Sequence, residues 1–252
     1  MQMMIEICET DGVRTLHFGS EWIQGAMRVA RPWHLELEYT REMMLPLMLR
    51  DEPEEPLEIL LIGLGAASMI RYLYRHWPHT RLTVVEISAA VVAAARQSFK
   101  LPEDPARIDL QVADGVAYLA QCTQRFDLIL VDGFDARARA GGLQGHPFYR
   151  DCRRCLAQNG MLAVNLLSRQ SHYKRSIEAL GRVFDGRSLA FPSMDSGNVV
   201  ALASSTEGAG RVRLVELRER ALLWKKTRGI DLRPTVSRLE QSRLCPHGWL
   251  EL

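Results

Sequence analysis

Cysteine is scarce and disulfide logic is absent. Five cysteines (Cys8, Cys122, Cys152, Cys155 and Cys245) are scattered through 252 residues. An odd, dispersed set excludes a disulfide framework and leaves reduced thiols as the simpler reading. Cys152-Arg153-Arg154-Cys155 has the spacing of half a zinc site, but no second ligand pair accompanies it. The two read as helix-borne thiols packed as small hydrophobes, and no metal is expected. Long apolar runs are also missing: no uncharged stretch reaches the ~20 residues a membrane helix needs. The start of the chain carries Glu6, Glu9 and Asp11 without a basic segment, which is not the pattern of a secretory signal. A charge excess is lacking too. The formal net charge of +2 leaves no polyanion footprint, so nucleic acid is not suggested. There are no internal repeats or low-complexity segments. A chain with 47% hydrophobic and 25% charged residues is an ordinary globular one, with the cytoplasm as its expected location and no membrane partner.

What is present is organised around residues 57–86. Leu57-Glu58-Ile59-Leu60-Leu61-Ile62 is too continuously apolar for a half-exposed strand and suits the centre of a parallel sheet covered on both faces. Gly63-Leu64-Gly65 breaks it. Ala66, Ala67, Met69, Ile70 and Leu73 then carry helical spacing, and Leu82-Thr83-Val84-Val85-Glu86 is a second buried strand ending in an acid. In such a βαβ unit a nucleoside lies across the strand ends, where glycine lets the backbone approach closely. Glu86 stands about 20 residues past the glycines, placed to accept hydrogen bonds from ribose hydroxyls. Ser68 occupies the position where Gly or Ala completes a dinucleotide fingerprint, so a plain strand-to-helix turn remains an alternative.

Before this unit, residues 3–7, 13–18 and 22–29 are strand-like, with Asp11-Gly12 and Gly19-Ser20 as turns, which predicts a small antiparallel sheet. Residues 34–49 carry helical spacing, and the acidic, proline-bearing segment 51–56 reads as a boundary. After Glu86 the alternation continues. Helices are predicted over 89–99, 115–119, 147–156 and 171–183, and strands over 108–112, 126–132, 161–166, 188–191 and 198–203. This predicts an α/β fold with a doubly wound, mostly parallel sheet. The expected organisation is an N-terminal β region with a linking helix (1–50), an α/β domain (57–205), and a C-terminal helix and tail (206–252). Leu214, Leu217, Ala221 and Trp224 share one face of that helix, its basic face reads as solvated, and 229–252 reads as a featureless tail.

Four acids fall at or just after strand ends: Glu86, Asp114, Asp132 and Asp135. Ligands of open α/β sheets bind at that edge. Carboxylates there suit a ligand with hydroxyls, an amino group and positive charge, although strand ends are also often just solvated.

In these residues the chain resembles the polyamine aminopropyltransferases, the spermidine and spermine synthases. The resemblance rests on Val85-Glu86-Ile87-Ser88, on Ala113-Asp114-Gly115, on 126–135, on Phe148-Tyr149 with Cys152, Leu156 and Gly160, and on Gln24 and Tyr39. It implies a Rossmann-like class I S-adenosylmethionine-dependent methyltransferase fold and a homodimer. It implies decarboxylated S-adenosylmethionine as co-substrate, held at Gly63, Gly65, Glu86, Asp114 and Gly115, with Glu86 on the ribose and Asp114 on the adenine. It implies a small-molecule amine held by Gln24, Tyr39, Asp132 and Asp135, with Asp132 the candidate base and Asp135 and Tyr39 beside it.

The chain departs from the family pattern as well. The family's Gly-Gly-Gly-Asp-Gly turn is here Gly63-Leu64-Gly65-Ala66-Ala67, so the acid that meets the donor's aminopropyl amine is gone. Losing a charged hydrogen bond costs ~1.5–3 kcal/mol. No His follows Tyr39, and the Gln after the fifth strand of the α/β domain corresponds at best to Asn165. Arg137 and Arg139 lie where the family has a gate loop, placed to close over the site or to repel a polycation. Ala66 leaves intact S-adenosylmethionine, and hence methyl transfer, as an alternative; a non-catalytic nucleoside- or polyamine-binding protein is another.

Overall fold

The computed structural model describes residues 4–50, 57–194 and 197–252. Strands β1 (Glu6–Thr10), β2 (Val13–His17) and β3 (Ile23–Arg28) form an antiparallel sheet in that order. Asp11 and Gly12 both take positive φ, 51° and 72°, the conformation a two-residue hairpin turn requires. That turn sets the register, pairing Glu6 with His17 and Thr10 with Val13, so β1 runs up to the turn rather than over 3–7. Met3 and the expected boundary at 51–56 lie outside the described residues.

The single helix expected over 34–49 is two short ones, α1 (Glu38–Glu42) and α2 (Leu45–Leu49). Pro46 is the reason. It has no N–H to bond the carbonyl of Glu42, and its ring would crowd that carbonyl, so the helix stops and restarts with Pro46 in its first turn.

The α/β alternation follows as β4 (Glu58–Ile62), α3 (Ser68–His76), β5 (Arg81–Glu86), α4 (Ala89–Ser98), β6 (Ile108–Val112), α5 (Gly115–Gln121), β7 (Phe126–Val131), α6 (His146–Cys155) and β8 (Leu156–Leu167). It ends with α7 (Tyr173–Val183), β9 (Ser188–Pro192) and β10 (Asn198–Ser204). These strands make one sheet of order β6-β5-β4-β7-β8-β10-β9, parallel through β8 and antiparallel at β10 and β9. Its apolar runs are explained by burial on both faces. Ile59 and Leu61 of β4 join Val84, Leu128 and Leu130 in one core, while Leu60 and Ile62 join Val85, Ile129 and Val131 in the other. Cys152 and Cys155 are buried in the second core as packed thiols. The strand order reverses between β4 and β7, and there the crevice of a doubly wound sheet opens.

The C-terminal segment is more structured than its sequence suggested. Strand β11 (Val212–Arg213), α8 (Leu214–Thr227), α9 (Arg233–Gln241) and β12 (Trp249–Leu250) pack onto the first core, with β11 and β12 paired. Leu232, Val236 and Leu239 supply the buried stripe of α9. The basic face of α8 is not simply solvated, because Arg220 donates to the carbonyls of Met48, Leu49 and Arg50. Glu42, 0% exposed, accepts from Arg238 and Thr235 of α9, which ties the C-terminal segment to α1.

Candidate active site

The crevice holds a cavity of about 990 Å³, large enough for a nucleoside and a second small molecule. Gly63 opens it. At φ 93° it lies in the left-handed region, and its N–H donates to the carbonyl of Val85. Gly65, at φ 50°, passes under the carbonyl of Gln24. The N-terminal sheet covers this turn: Ser68 donates to the carbonyl of Ala26 at 2.8 Å. The methyl of Ala66, 2% exposed, faces Gly25. Behind the turn the buried Arg71 donates to the carbonyls of Pro32, Ala66 and Phe99.

Glu86 ends β5 and binds the turn from below. One of its oxygens accepts from Leu64 N–H at 2.8 Å and the other from Ser88 N–H at 2.9 Å. Burial pushes its carboxyl up, and the backbone N–H groups of Leu64, Ser88 and Ile87 pull it back. At least one lone pair remains for the cavity that Glu86 lines. Glu86→Gln places an NH₂ against one of those N–H groups. Affinity for methylthioadenosine is expected to fall about ten- to a hundredfold; unchanged affinity by calorimetry would remove Glu86 from the nucleoside site.

Asp114 caps α5, its Oδ1 accepting from Val116 N–H at 2.7 Å and Ala117 N–H at 3.4 Å. Gly115 follows because a Cβ there would lie 2.5 Å from the Ile62 side chain. Ile87, 71% exposed, and the cavity-lining Val116 and Leu143 give this end an apolar wall.

At the other end the structure brings together Asp132, Tyr39 and Asn165. Asp132 follows β7, with its N–H bonded to the carbonyl of Ile62. Its Oδ2 accepts from Tyr39 Oη at 3.0 Å and its Oδ1 from Asn165 Nδ2 at 2.9 Å. Burial pushes the Asp132 carboxyl above its ordinary range, opposed by those two donors. Asn165, set beside the family's Gln but not counted among the expected site residues, is the only polar residue in the apolar run 161–167 of β8. Val131 pairs with Val164, so the next residues along the two parallel strands, Asp132 and Asn165, emerge side by side.

Gln24 lines the same cavity. Asp135 lines it too, but is held within its own loop by Arg139 at 2.7 Å. Burial pushes that carboxyl up, and the stronger effect of Arg139 and the backbone N–H groups of Arg137 and Arg139 holds it below its ordinary range. The expected residues therefore share one cavity, in which Tyr39 and Asp132 are joined by a side-chain hydrogen bond. Among the described residues no three His, Cys, Asp or Glu side chains converge as metal ligands would.

Residues 37–180 match the spermine/spermidine synthase domain family. The polyamine aminopropyltransferase of Neisseria meningitidis is 35% identical over 238 residues, covering 94% of this chain and 89% of that one. The polyamine aminopropyltransferase of Chromobacterium violaceum is 35% identical over 246 residues, covering 98% and 93%. Likeness thus extends well past residues 24–160, which carry the motifs. In fold, the chain is similar to a probable spermidine synthase from Corynebacterium glutamicum (TM-score 0.72, 23% identity, 86% of this chain and 83% of that one). It is similar also to human methyltransferase-like protein 13 in complex with SAH (TM-score 0.69, 22% identity, 77% and 93%). A sheet shared by these two bears out the expected methyltransferase-type architecture. Identity of 35% across almost the whole of both chains shows more than the fold: this chain belongs to the spermine/spermidine synthase family and is a transferase.

Proposed function

We propose that the protein transfers an aminopropyl group from decarboxylated S-adenosylmethionine to an amine, in polyamine biosynthesis. The observation that carries this reading is a half-buried carboxylate, Asp132, fixed by Tyr39 and Asn165 in the cavity that Glu86 also lines. The amine nitrogen attacks the carbon next to the sulfonium; the carbon–sulfur bond breaks and methylthioadenosine leaves. An alkylammonium with a pKa of ~10.4 has no lone pair, and deprotonating it at neutral pH costs roughly 4–5 kcal/mol. Asp132 accepts that proton, and its raised basicity brings it closer to the working pH. Tyr39 and Asn165 hold the carboxylate in place. Glu86 accepts from the ribose hydroxyls, Asp114 offers its second oxygen to the adenine amino group, and the Ile87 and Leu143 side chains flank the base. Gln24 and the Gly63 and Gly65 backbone border the donor's chain. The same reading makes the protein a cytoplasmic homodimer. The exposed Ile7, Trp22, Ile23 and Trp33, in and beside the N-terminal sheet, are candidates for a covered surface.

The test is to incubate the purified protein, its mass first read by sedimentation equilibrium, with decarboxylated S-adenosylmethionine and a panel of monoamines, diamines and ω-amino acids. Release of methylthioadenosine with at least one amine is expected, together with tighter calorimetric binding of the decarboxylated donor than of the intact one. No product with any amine, combined with tighter binding of intact S-adenosylmethionine, would replace this reading by methyl transfer, the chemistry that Ala66 favours by removing an acid from the turn.

A further inference from the structure

Tyr39 stands on a helix too short to hold itself. Helix α1 has five residues, little more than one turn, and a helix of that length takes its stability and its direction from tertiary contacts. Pro46 keeps α1 from being continued into α2. What fixes α1 is therefore its side chains. On its outer side Arg41 donates to the carbonyls of Leu35 and Glu36 and pairs with Glu38 at 2.7 Å. Tyr39 and Glu42, three residues apart, are both buried.

The Glu42 carboxylate is met from two directions. Its Oε1 accepts from Arg238 Nη2 and, at 3.3 Å, from Thr235 Oγ1, both on α9. Ser193, in the segment between β9 and β10, hydrogen-bonds the same carboxylate. Met194 and Asn198, close to Ser193 in that segment, line the cavity. One acid with 0% exposure thus joins α1, α9 and a wall of the cavity. Removing one partner of a buried ion pair leaves the other charge uncompensated, so the element that carries it must shift. Tyr39 and Asn165 are the side chains that bond Asp132, and both favour its ionised form.

We propose that Glu42 and Arg238 are a positioning pair for the reaction: their contact sets α1 so that Tyr39 Oη reaches Asp132 Oδ2 and holds that carboxylate in place. Helix α9 then serves the active site without lining it. The inference rests on the reading that Asp132 takes the proton of the amine.

The experiment compares wild type with R238M, R238K, Y39F and the double variant R238M/Y39F, reading kcat, and kcat/KM against pH, for release of methylthioadenosine. A displaced Tyr39 withdraws a donor from the ionised Asp132, which raises its pKa. The acid limb of kcat/KM reports groups of the free enzyme. In R238M that limb is expected to move to higher pH, as in Y39F, with kcat about ten- to a hundredfold lower and affinity for methylthioadenosine unchanged. The double variant is expected to match Y39F alone, because both changes act through one bond. R238K keeps the charge and is expected to recover most of the loss. E42Q keeps the shape of the junction and an oxygen for Arg238; it is expected to shift the acid limb in the same direction, and it supplies the test should R238M fail to fold. A lowered melting temperature with kcat and the acid limb unmoved would make the pair a brace of the fold alone and overturns the proposal. So do effects of R238M and Y39F that add. No methylthioadenosine from wild type with any amine is a different result: it removes the aminopropyl-transfer reading itself, and this inference with it.

Discussion

Replacing Asp132 by Asn is expected to lower kcat by about 10²–10⁴-fold, the range for loss of a positioned general base, while methylthioadenosine binds with unchanged affinity. The substitution keeps the shape of the site. The introduced amide still accepts from Tyr39 Oη, and Asn165, whose Oδ1 has no partner in the structure, can turn its own amide to accept from the new NH₂. Stability separates this role from a structural one. Burial raises the Asp132 carboxyl in the folded state above its ordinary 3.8. Between those two values the folded chain binds more protons than the unfolded one, so stability falls as pH rises through that window and the ionised carboxylate carries a burial penalty. The Asn variant lacks it. Its melting temperature at pH 7 is therefore expected to match or exceed that of wild type, with the difference shrinking as pH falls towards the ordinary carboxylate range. A kcat within tenfold of wild type, or a variant much less stable at pH 7, would show that Asp132 holds the fold rather than the substrate's proton.

Gly63→Ala is expected to be the most damaging single-methyl change in the cavity wall, costing about 3–5 kcal/mol and lowering the melting temperature by roughly 6–20 °C. Two causes combine. At φ 93° a side chain is strained, and a Cβ there would sit 2.0 Å from the carbonyl oxygen of Asp132, which as backbone cannot swing aside. Relief requires β4 and β7 to part where Asp132 N–H bonds the Ile62 carbonyl, so the base is displaced along with the fold. Gly141→Ala is the control, because it shares a positive φ of 55° but has nothing within 4 Å of the added methyl. It should cost only about 1–2 kcal/mol. Equal melting temperatures for the two variants would mean that the strands absorb the clash and that Gly63 is there for conformation alone.

The sheet and its four strand-end acids were legible because each depends on a few neighbouring residues. A strand buried on both faces must be apolar throughout, so 57–62, 82–85 and 126–131 announced themselves, and the acids that end such runs stand at the ligand-binding edge. Asp114 was placed by the same alternation, and its capping of α5 is equally local. Two misses had signals that were present. Pro46 sits in the middle of the predicted linking helix, and Leu232, Val236 and Leu239 carry helical spacing in the segment read as a tail.

The site itself was another matter. Tyr39 and Asp132 are 93 residues apart, and only the packing of α1 against the end of β7 makes them partners. Asn165 became a neighbour of Asp132 through the register of β7 and β8, a pairing that no spacing in the chain encodes. Asp132 and Asp135 look alike as letters; one keeps a lone pair for a ligand and the other gives every one to Arg137 and Arg139. The sequence by itself determined where carboxylates stand, because hydrophobic periodicity fixes strands and strands fix their ends. Which of those carboxylates remains open to chemistry was decided by tertiary structure alone, since the capacity of an oxygen to accept a proton or a ligand depends on every donor already within reach of it.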